Sequence, residues 1–385
     1  MSLDGFYTAA LIGCGRIGFS LGHDEKREQP ASHTMALMDN PRIKIIAGCD
    51  NDSEKLKAWH EEVPCAQVFE SSSALYQHLH PDIIVVAVNE AYHLEEALAA
   101  IDAGPKLIIL EKPVALNLEE AFKIKEAAEK KNVPVLINHE RRFSEDYMAA
   151  KNYMASIGQV IDIKATLYSS MAVYDQEEEG SGAYSLIHDG THLSDIVLYF
   201  LEDLNSPSTT IETLMSLGKP GTDSLSNPND SLVGKEVKQK KIIVNTILKR
   251  PVLTGVVRDE NGVVRQACAH YVTHVCPEVE LLFVGRSKYF GFEIEINGTE
   301  GRVCIGNGYC KFYHAEESDL YSDLYSLRKD TSVKIPEKTR YFSNMIQNAI
   351  DFLDEKECLK STLQTGINAL AILEEIRKLL KGCFC

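Results

Sequence analysis

The stretch Tyr7-Thr8-Ala9-Ala10-Leu11-Ile12-Gly13-Cys14-Gly15-Arg16-Ile17-Gly18 decides the fold of this 385-residue chain. Its first six residues form an apolar run that predicts a buried β-strand, and a GxGxxG pattern follows directly. In such a pattern Gly13 takes the tight turn, Gly15 lets the backbone approach a pyrophosphate, and Gly18 lets the next helix pack closely on the strand. The motif alone is weak evidence, because glycine-rich turns also arise for purely steric reasons.

A carboxylate at the end of the second predicted strand strengthens the dinucleotide interpretation. Asp50 follows the run Lys44 to Cys49, where it can accept hydrogen bonds from the hydroxyls of an adenosine ribose. This placement favours NAD over NADP, whose 2′-phosphate the carboxylate would repel, although Arg16 and Lys55 keep NADP open as the alternative. Asp50 can also be read as a turn residue beside the cap of the following helix.

The interval between the last glycine and the acidic residue is longer than usual. Gly18 and Asp50 are 32 positions apart (50 − 18), against about 20 in the common fingerprint. Most of the surplus lies in the polar segment Phe19 to Ala31, which ends just before Ser32, the predicted N-cap of a helix from His33 to Asp39. Two interpretations stay open: a lid beside the cofactor phosphates, or a disordered surface insertion.

Length and composition predict a two-domain cytoplasmic enzyme. A chain of 385 residues exceeds the length at which a single core usually divides, and its formal net charge of −16 argues against a nucleic-acid partner. No signal peptide and no membrane-length apolar run is recognisable. The ten cysteines include no CxxC pair or Cys/His array with zinc spacing, so we predict reduced thiols and no metal site.

The first 140 residues alternate short β-branched runs with helical patterns, which is typical of a parallel sheet built from βαβ units. We therefore predict a nucleotide-binding Rossmann domain over residues 1–140. Strands are expected at Tyr7 to Ile12, Lys44 to Cys49, Ile83 to Val88, Lys106 to Leu110 and Val135 to Asn138, and helices at Ser53 to Glu62, Ser72 to Leu79, Ala91 to Ala103 and Leu118 to Lys131.

After Arg141 the alternation stops and successive strand patterns follow, so residues 141–385 are predicted to form an α+β domain with a large, mostly antiparallel open sheet. The fold class is thus α/β overall. Residues 205–238 are polar and are predicted to form a long loop. Strands are expected at Val160 to Tyr168, Lys241 to Leu248, Val252 to Arg258, Val263 to His270, Val279 to Val284, Tyr289 to Ile296 and Gly301 to Ile305, and helices at Ala183 to Leu201, Phe342 to Leu353 and Leu363 to Leu380.

Taken together, these motifs resemble the Gfo/Idh/MocA oxidoreductases, named for glucose-fructose oxidoreductase and inositol dehydrogenase. The resemblance covers nearly the whole chain and implies a Rossmann domain followed by an open-sheet domain that serves substrate binding and oligomerisation, often in dimers or tetramers. The matching segments are Gly13 to Gly18, Asp50, Val88 to His93, Glu111-Lys112-Pro113, Asn138 to Phe143, the Gly190/His192/Asp195 pattern and the turn Ile296 to Gly301.

The Glu-Lys-Pro motif supplies the first catalytic candidate. Lys112 follows a predicted strand at its carboxyl end, where open α/β sheets bind ligands, and in similar enzymes this lysine touches the reacting hydroxyl. Glu111 is expected to orient the nicotinamide side, and Pro113 to fix the turn. The competing interpretation is a surface lysine in a strand-to-helix turn.

His192 is the second catalytic candidate, as the acid/base. Family members commonly carry Asp four residues earlier, but His188 stands there and Asp189 lies three residues before His192. Either His188 replaces that carboxylate as a proton shuttle, or Asp189 takes its role through a register change. The alternative without a catalytic role is that His188 and His192 are packed residues of a helix. Asp195, one turn further, is expected to be a structural partner.

Weaker candidates complete the predicted site. Asn89 and Glu90 stand where the family usually has Thr and Pro, and His93 matches the family but can simply cap or pack its helix. Arg142 is predicted to bind a substrate hydroxyl or carboxylate, or else to form an interdomain salt bridge. The cofactor-binding set is Gly13, Gly15, Arg16, Ile17, Gly18, Asp50, Asn89, His93, Glu111 and Lys112, and the substrate-binding set is Lys112, Arg142, His188 and His192.

These features predict an NAD(P)-dependent oxidoreductase that acts on a sugar, a cyclitol or a nucleotide sugar, a substrate class implied by the resemblance. Self-association as a homodimer or homotetramer through the second sheet is expected, without nucleic acid or membrane. Two alternatives stay open: a dinucleotide-binding sensor without turnover, and a redox-neutral glycosidase-type enzyme that retains NAD.

Overall fold

Two β-sheets with flanking helices organise the chain in the computed structural model, which describes residues 5–202, 204 and 249–382. The first sheet lies in the N-terminal part and the second in the C-terminal part, as the sequence predicts. The chain passes from the last strand of the first sheet to the first strand of the second through residues 138–159.

The first sheet is parallel throughout, with the order β3-β2-β1-β4-β5-β6 among the described residues. This is the doubly wound order in which ligands bind outside the carboxyl ends of the strands, where the winding direction reverses between β1 and β4. The strands are β1 Tyr7–Ile12, β2 Ile43–Cys49, β3 Gln67–Phe69, β4 Ile83–Val86, β5 Leu107–Leu110 and β6 Val135–Ile137.

The helices between these strands begin at residues that favour helix starts. Ser32, Asp52, Ser71 and Asn117 each accept a hydrogen bond from a backbone N–H of the first turn, and Gly104 ends one helix in the left-handed conformation. The helices are α1 His33–Asp39, α2 Ser53–Glu62, α3 Ser72–His78, α4 His93–Ala103 and α5 Leu118–Lys131.

The second sheet has the order β14-β13-β12-β11-β7-β10-β9-β8 in the part of the chain that the structure describes, and β7 with β10 is its parallel pair. Alternating burial along its strands gives one face to the helices and leaves the other open. Its strands are β7 Val160–Tyr168, β8 Lys249–Arg258, β9 Val264–Val272, β10 Glu278–Val284, β11 Gly291–Gly298, β12 Gly301–Gly306, β13 Tyr309–Glu317 and β14 Tyr325–Asp330, accompanied by α6 Glu145–Tyr153, α7 Ser185–His188 and α8 Gly190–Glu202.

Two closing helices, α9 Tyr341–Leu353 and α10 Leu363–Gly382, connect the two halves. Phe342 and Ile346 of α9 belong to the same buried cluster as Tyr7 and Leu11 of β1, so α9 completes the core of the first sheet. A division at residue 140 therefore separates the sheets but not the cores. We keep 1–140 and 141–385 as the proposed division of the chain, with α9 returning to the first unit.

Several predicted elements need correction. The predicted helix from Ala183 to Leu201 is two helices, α7 and α8, separated at Asp189. The predicted helix from Ala91 begins at His93, after a 3₁₀ turn, and β4 ends at Val86. Four elements were missed: β3, which has only three residues, the edge strands β13 and β14, whose apolar alternation is weak, and α6. The strand expected at Lys241 to Leu248 and the loop 205–238 lie outside the described residues.

The segment Phe19 to Ala31 contains a 3₁₀ helix, Ser20–His23, and contacts the chain before α9, which favours an ordered insertion over the disordered alternative. Glu28 accepts hydrogen bonds from the backbone N–H groups of Thr339 and Arg340, immediately before α9. A single carboxylate thereby anchors the insertion to the chain that returns from the second sheet. Among the described helices, none is long and apolar enough to cross a bilayer.

Candidate active site

The glycine-rich turn after β1 has the geometry expected of a dinucleotide cradle. Gly13 has φ +98°, and a Cβ there would lie 2.5 Å from the carbonyl oxygen of Ala87. A Cβ at Gly18 would overlap the carbonyl oxygen of Gly13, whereas a Cβ at Gly15 would meet nothing within 4 Å. Gly13 and Gly18 are therefore required by the fold, and the open space above Gly15 is where a bound group can approach the backbone, which fits a pyrophosphate.

Asp50 connects the end of β2 to this turn. Its two carboxylate oxygens accept hydrogen bonds from the backbone N–H of Cys14, at 2.8 Å, and of Asp52, at 2.9 Å. Asp52, and not Asp50, caps α2. A carboxylate has lone pairs beyond these two bonds, so Asp50 can hold the turn and still accept from ribose hydroxyls.

The remaining predicted cofactor residues differ in exposure. Arg16 is exposed and Ile17 is half-buried in the turn. Asn89 is exposed and caps a 3₁₀ turn by accepting from Ala91 N–H. His93 is buried, with Nδ1 2.6 Å from the carbonyl oxygen of Pro113 and Nε2 3.2 Å from that of Val88. His93 thus ties the β4 loop to the Glu-Lys-Pro turn, in agreement with the packing interpretation.

Glu111 is held in a buried network next to Lys112. Its Oε1 lies 2.7 Å from His33 Nε2 and accepts from Asn138 Nδ2 at 2.6 Å. Burial raises the pKa of Glu111, but the contacts with His33 and Asn138 and the charge of Lys112 outweigh it and hold the pKa below the ordinary value. Glu111 is therefore an anion that fixes the end of β5, and His33, the partner from α1, was missed from the sequence.

Lys112 projects from the carboxyl end of β5 towards the second half of the chain. Its Nζ donates a hydrogen bond to the carbonyl oxygen of His188 at 2.8 Å, and the following Lys112–Pro113 peptide is cis. The Lys112 side chain is half-buried, so it is partly shielded from solvent. The predicted catalytic lysine and the predicted histidine segment are thus brought together.

The imidazole of His188 pairs with Glu90, a residue given no role by the sequence. Nδ1 of His188 lies 2.7 Å from Glu90 Oε1, while the His188 side chain is 38% exposed and that of Glu90 only 9%. Burial raises the pKa of Glu90, and the contact with His188 together with the charge of Lys112 lowers it below the ordinary value. An imidazole–carboxylate pair therefore exists here, with its carboxylate contributed by the first domain.

His192 lies in the first turn of α8, four residues after His188. Its Nδ1 is buried and has no hydrogen-bond partner among the residues that the structure describes. Burial, followed by the charges of Arg141 and Lys112, lowers the pKa of His192 well below the ordinary value. The imidazole is therefore neutral near pH 7 and can accept a proton.

Asp189 points elsewhere. Its Oδ2 accepts a hydrogen bond from the Ser169 hydroxyl, just after β7, at 2.7 Å. Of the two alternatives for the usual family Asp, the geometry therefore favours His188, paired with Glu90, over a register change that uses Asp189. Because α7 ends at His188 and α8 begins at Gly190, Asp189 and His192 do not lie on one regular helix.

Arg142 is a structural ion-pair residue. It is 1% exposed, and its Nε donates to both carboxylate oxygens of Asp195, at 2.8 and 2.9 Å. Its Nη1 lies 2.9 Å from Glu202. Arg142 therefore forms a salt bridge, but with partners inside residues 141–385 and not across the predicted domain boundary, and the expected substrate contact is withdrawn. Asp195 has the structural role that the sequence suggested.

The neighbouring Arg141 has different surroundings from Arg142. Its guanidinium lies 3.9 Å from the ring centroid of Phe292 on β11, and its charge is the largest electrostatic contribution that lowers the pKa of His192. Both arginines lie in one 3₁₀ turn, Glu140–Phe143, where consecutive side chains diverge by about 120°. Two adjacent arginines in the sequence offered no signal to tell them apart.

Comparisons with known proteins agree with this geometry. Residues 7–139 match the model of the GFO_IDH_MocA family, described as an oxidoreductase family with an NAD-binding Rossmann fold. The chain is 28% identical over 253 residues to a levoglucosan dehydrogenase of Pseudarthrobacter phenanthrenivorans, covering 61% of this chain and 59% of that enzyme. It is 27% identical over 144 residues to a scyllo-inositol 2-dehydrogenase (NADP(+)) of Bacillus subtilis, covering 36% and 40%. The chain thus spans less than two thirds of these relatives.

Longer matches exist. An uncharacterised oxidoreductase of Schizosaccharomyces pombe is 29% identical over 339 residues, 83% of each chain. The fold is shared with a dehydrogenase from Chromobacterium violaceum, with a TM-score of 0.70, 14% identity and 98% of each chain covered. It is also shared with a Bordetella pertussis dehydrogenase in complex with NADH and UDP-GlcNAcA, with a TM-score of 0.67, 15% identity, and 98% of this chain and 96% of that chain covered. At such identities the structures establish the fold alone.

Proposed function

We propose that the protein is an NAD(P)-dependent dehydrogenase, because residues 7–139 match the model of the GFO_IDH_MocA oxidoreductase family, which has an NAD-binding Rossmann fold. The reaction converts a secondary alcohol, CH–OH, into a ketone. The cofactor, when bound, supplies the hydride acceptor, and the chain must position the alcohol and take its proton.

The contact of Lys112 Nζ with the carbonyl oxygen of His188 is the observation that carries this proposal. It joins the carboxyl end of β5, beside the glycine turn, to the segment that presents His192. A hydroxyl that replaces the carbonyl as a partner of Nζ would lie at the ligand-binding edge of the first sheet and next to an imidazole. That arrangement supports the role of Lys112 in orienting the reacting oxygen.

His192 is proposed as the group that receives the hydroxyl proton. Burial, together with the charges of Arg141 and Lys112, lowers the pKa of His192 and keeps it neutral before reaction, and Lys112 stabilises negative charge that develops on the substrate oxygen. During oxidation the O–H bond breaks, its electron pair forms the C=O bond, and the hydride leaves carbon. His188, backed by the Glu90 carboxylate and partly exposed, provides a second imidazole through which the proton can reach water.

The substrate class is proposed as a sugar, a cyclitol or a nucleotide sugar, in line with the relatives named above. Arg141 supports this choice because a half-buried guanidinium offers several donors to hydroxyl or carboxylate oxygens. NAD is proposed over NADP because the Asp50 carboxylate would repel the 2′-phosphate of NADP. A cytoplasmic location and a homodimer or homotetramer through the open face of the second sheet belong to the same proposal.

Turnover with NAD and with NADP over a panel of sugars, cyclitols and nucleotide sugars tests this function. Lys112→Met should abolish reduced-cofactor formation while dinucleotide binding, followed by fluorescence, stays within about twofold, because the lysine acts on the substrate. Lys123→Met, an exposed lysine of α5 paired with Glu119, is the matched control and should behave as the parent.

Two outcomes would contradict the assignment. Loss of dinucleotide binding in Lys112→Met would make the lysine a cofactor-holding residue. If the parent binds dinucleotide but turns over no compound of the panel, the sensor alternative is favoured. If substrate is turned over while the cofactor stays bound and shows no net reduction, the redox-neutral glycosidase is favoured.

A further inference from the structure

A cluster of metal-ligating side chains lies on the open face of the second sheet, away from the proposed active site. Cys268 and His270 are two residues apart on β9, so they project from the same face. Glu280 is the register partner of His270 on the neighbouring strand β10. The sequence showed no array with zinc spacing, because pairing of β9 with β10 brings the third residue into place.

The three candidate ligand atoms are close enough to share one ion. All of them lie within 4.8 Å of one another, and Cys268 Sγ is 3.4 Å from His270 Nε2. Two ligands at zinc–sulfur and zinc–nitrogen bond lengths in a tetrahedral site are separated by about 3.6 Å. The sulfur and nitrogen therefore need to move by only a few tenths of an ångström.

A second carboxylate orients the imidazole. Nδ1 of His270 lies 2.7 Å from Glu278 Oε1 and Nε2 lies 2.9 Å from the Thr254 hydroxyl. A proton on Nδ1 directed to Glu278 leaves the Nε2 lone pair directed at Cys268 and Thr254. A carboxylate behind a histidine is the arrangement that fixes the tautomer of a metal-ligating imidazole.

We propose that Cys268, His270 and Glu280 form a Zn²⁺ site, with Glu278 as the positioning residue behind His270. A thiolate, an imidazole and a carboxylate suit a borderline-soft cation such as Zn²⁺, whereas Mg²⁺ and Ca²⁺ prefer oxygen ligands only. The thiolate and carboxylate together balance the charge of the ion. Three protein ligands leave one position for water or a further ligand.

The thiol must lose its proton when the ion binds. The thiolate, and not the thiol, is the zinc ligand, so zinc must displace that proton, and binding strengthens as pH rises. This increase of zinc affinity with pH distinguishes a site with a thiolate ligand from a site with carboxylate ligands only.

The site is independent of the proposed catalytic cleft. Along β10, Val279, Leu281 and Phe283 are buried under the helices, and Glu278 and Glu280 alternate with them on the other face. Phe283 lies beside Gly190, at the start of the helix that carries His192. The sheet therefore separates the ion from the proposed catalytic cleft. The role of the ion is to link β9 to β10.

Competition titration of the chelator-treated full-length protein against a chromophoric zinc chelator tests the site. The parent should bind one Zn²⁺ tightly, and Cys268→Ser, His270→Asn and Glu280→Gln should each weaken binding by about 100-fold or more. Glu278→Gln should weaken it by about 10-fold to 100-fold. With Co²⁺ in place of zinc, a thiolate-to-metal absorption band should appear in the parent and disappear in Cys268→Ser.

Matched controls distinguish this site from other thiols and histidines. His274→Asn, an exposed histidine between β9 and β10, and the double change Cys383→Ser with Cys385→Ser should bind as the parent does. Equal zinc affinity in the parent and in His270→Asn, no binding by the parent, or loss of binding in the Cys383/Cys385 variant would each overturn the proposal. Turnover is not the readout, so failure of the proposed dehydrogenase activity would leave this result intact.

Discussion

Oε1 of Glu90 lies 2.7 Å from Nδ1 of His188, across the boundary between the two sheets. The pair gives the cleft an imidazole–carboxylate unit, although the residue four positions before His192 is itself a histidine. Gly182 makes the approach possible, because a Cβ there would lie 2.7 Å from the Glu90 side chain. The carboxylate is buried and the imidazole is partly exposed.

Glu90→Gln should lower kcat by about 10-fold to 100-fold, because it removes the charge that supports a protonated His188 during proton transfer. Cofactor affinity should change little. Glu95→Gln, an exposed glutamate in the first turn of α4, is the control. Steady-state kinetics of both variants check this, and an unchanged kcat in Glu90→Gln would remove the pair from the proton route.

In the pH profile of kcat/KM for alcohol oxidation, the loss of activity on the acid side should lie well below pH 6.5. A base must be unprotonated to work, and burial with the charges of Arg141 and Lys112 lowers the pKa of His192. Activity should therefore persist through neutral pH and fall only as the pH drops through this lowered pKa. His192→Gln should reduce the rate by about 10²-fold to 10⁴-fold and flatten the acid side of the profile. A loss of activity on the acid side that persists in His192→Gln would assign it to another group.

Asp50→Ala should weaken NAD binding by about 10-fold or more, the range expected when a charge-assisted hydrogen bond is lost. NADP binding should weaken less, because removal of the carboxylate also relieves its repulsion of the 2′-phosphate. Isothermal titration with both cofactors gives the ratio. Equal losses would mean that Asp50 acts only by holding the N–H groups of Cys14 and Asp52.

Gly15→Ala and Gly13→Ala should separate cofactor binding from folding. A Cβ at Gly15 meets no protein atom within 4 Å, so this variant should unfold at the parental denaturant midpoint yet bind dinucleotide at least about 10-fold more weakly. Gly13→Ala combines a positive φ with a clash against Ala87 and should lose about 2 kcal/mol of stability. Normal dinucleotide binding by Gly15→Ala would contradict the cradle.

Asp195→Asn should lower the free energy of unfolding by about 3 kcal/mol near neutral pH, because it leaves the buried Arg142 without its charged partner. Burial raises the pKa of Asp195, but the charges of Arg142 and His139 lower it to about 2. A lowered folded-state pKa means that the stabilisation is complete above the unfolded value of about 4 and is lost as the pH falls towards 2.

The difference between parent and Asp195→Asn should therefore shrink below pH 4, which denaturant titrations at several pH values measure. Asp102→Asn, which removes an exposed ion pair with Lys131, should change stability little at any pH. A difference that stays constant down to pH 2 would show that the lost stability is not the charge of Asp195.

Local sequence signals were sufficient for the elements that depend on neighbouring residues. Strands β1 and β5, the helix caps at Ser32 and Asn117 and the required Gly13 all follow from short-range patterns. The same signals failed where a residue's role depends on contacts across the fold. Arg141 and Arg142 are adjacent in sequence, but one faces Phe292 and the other is buried against Asp195.

The sequence by itself determined the alternation of strands and helices in the first half, the glycine turn and the position of Lys112 at the end of a strand, because apolar periodicity and backbone conformation are set within a few residues. Only the tertiary structure decided which partners those side chains meet. Glu90 and His188 are 98 positions apart and Glu111 and His33 are 78 apart. Such pairs form when packing of the sheets and helices brings distant polar groups together away from water, where each needs a partner, and no local pattern records that choice.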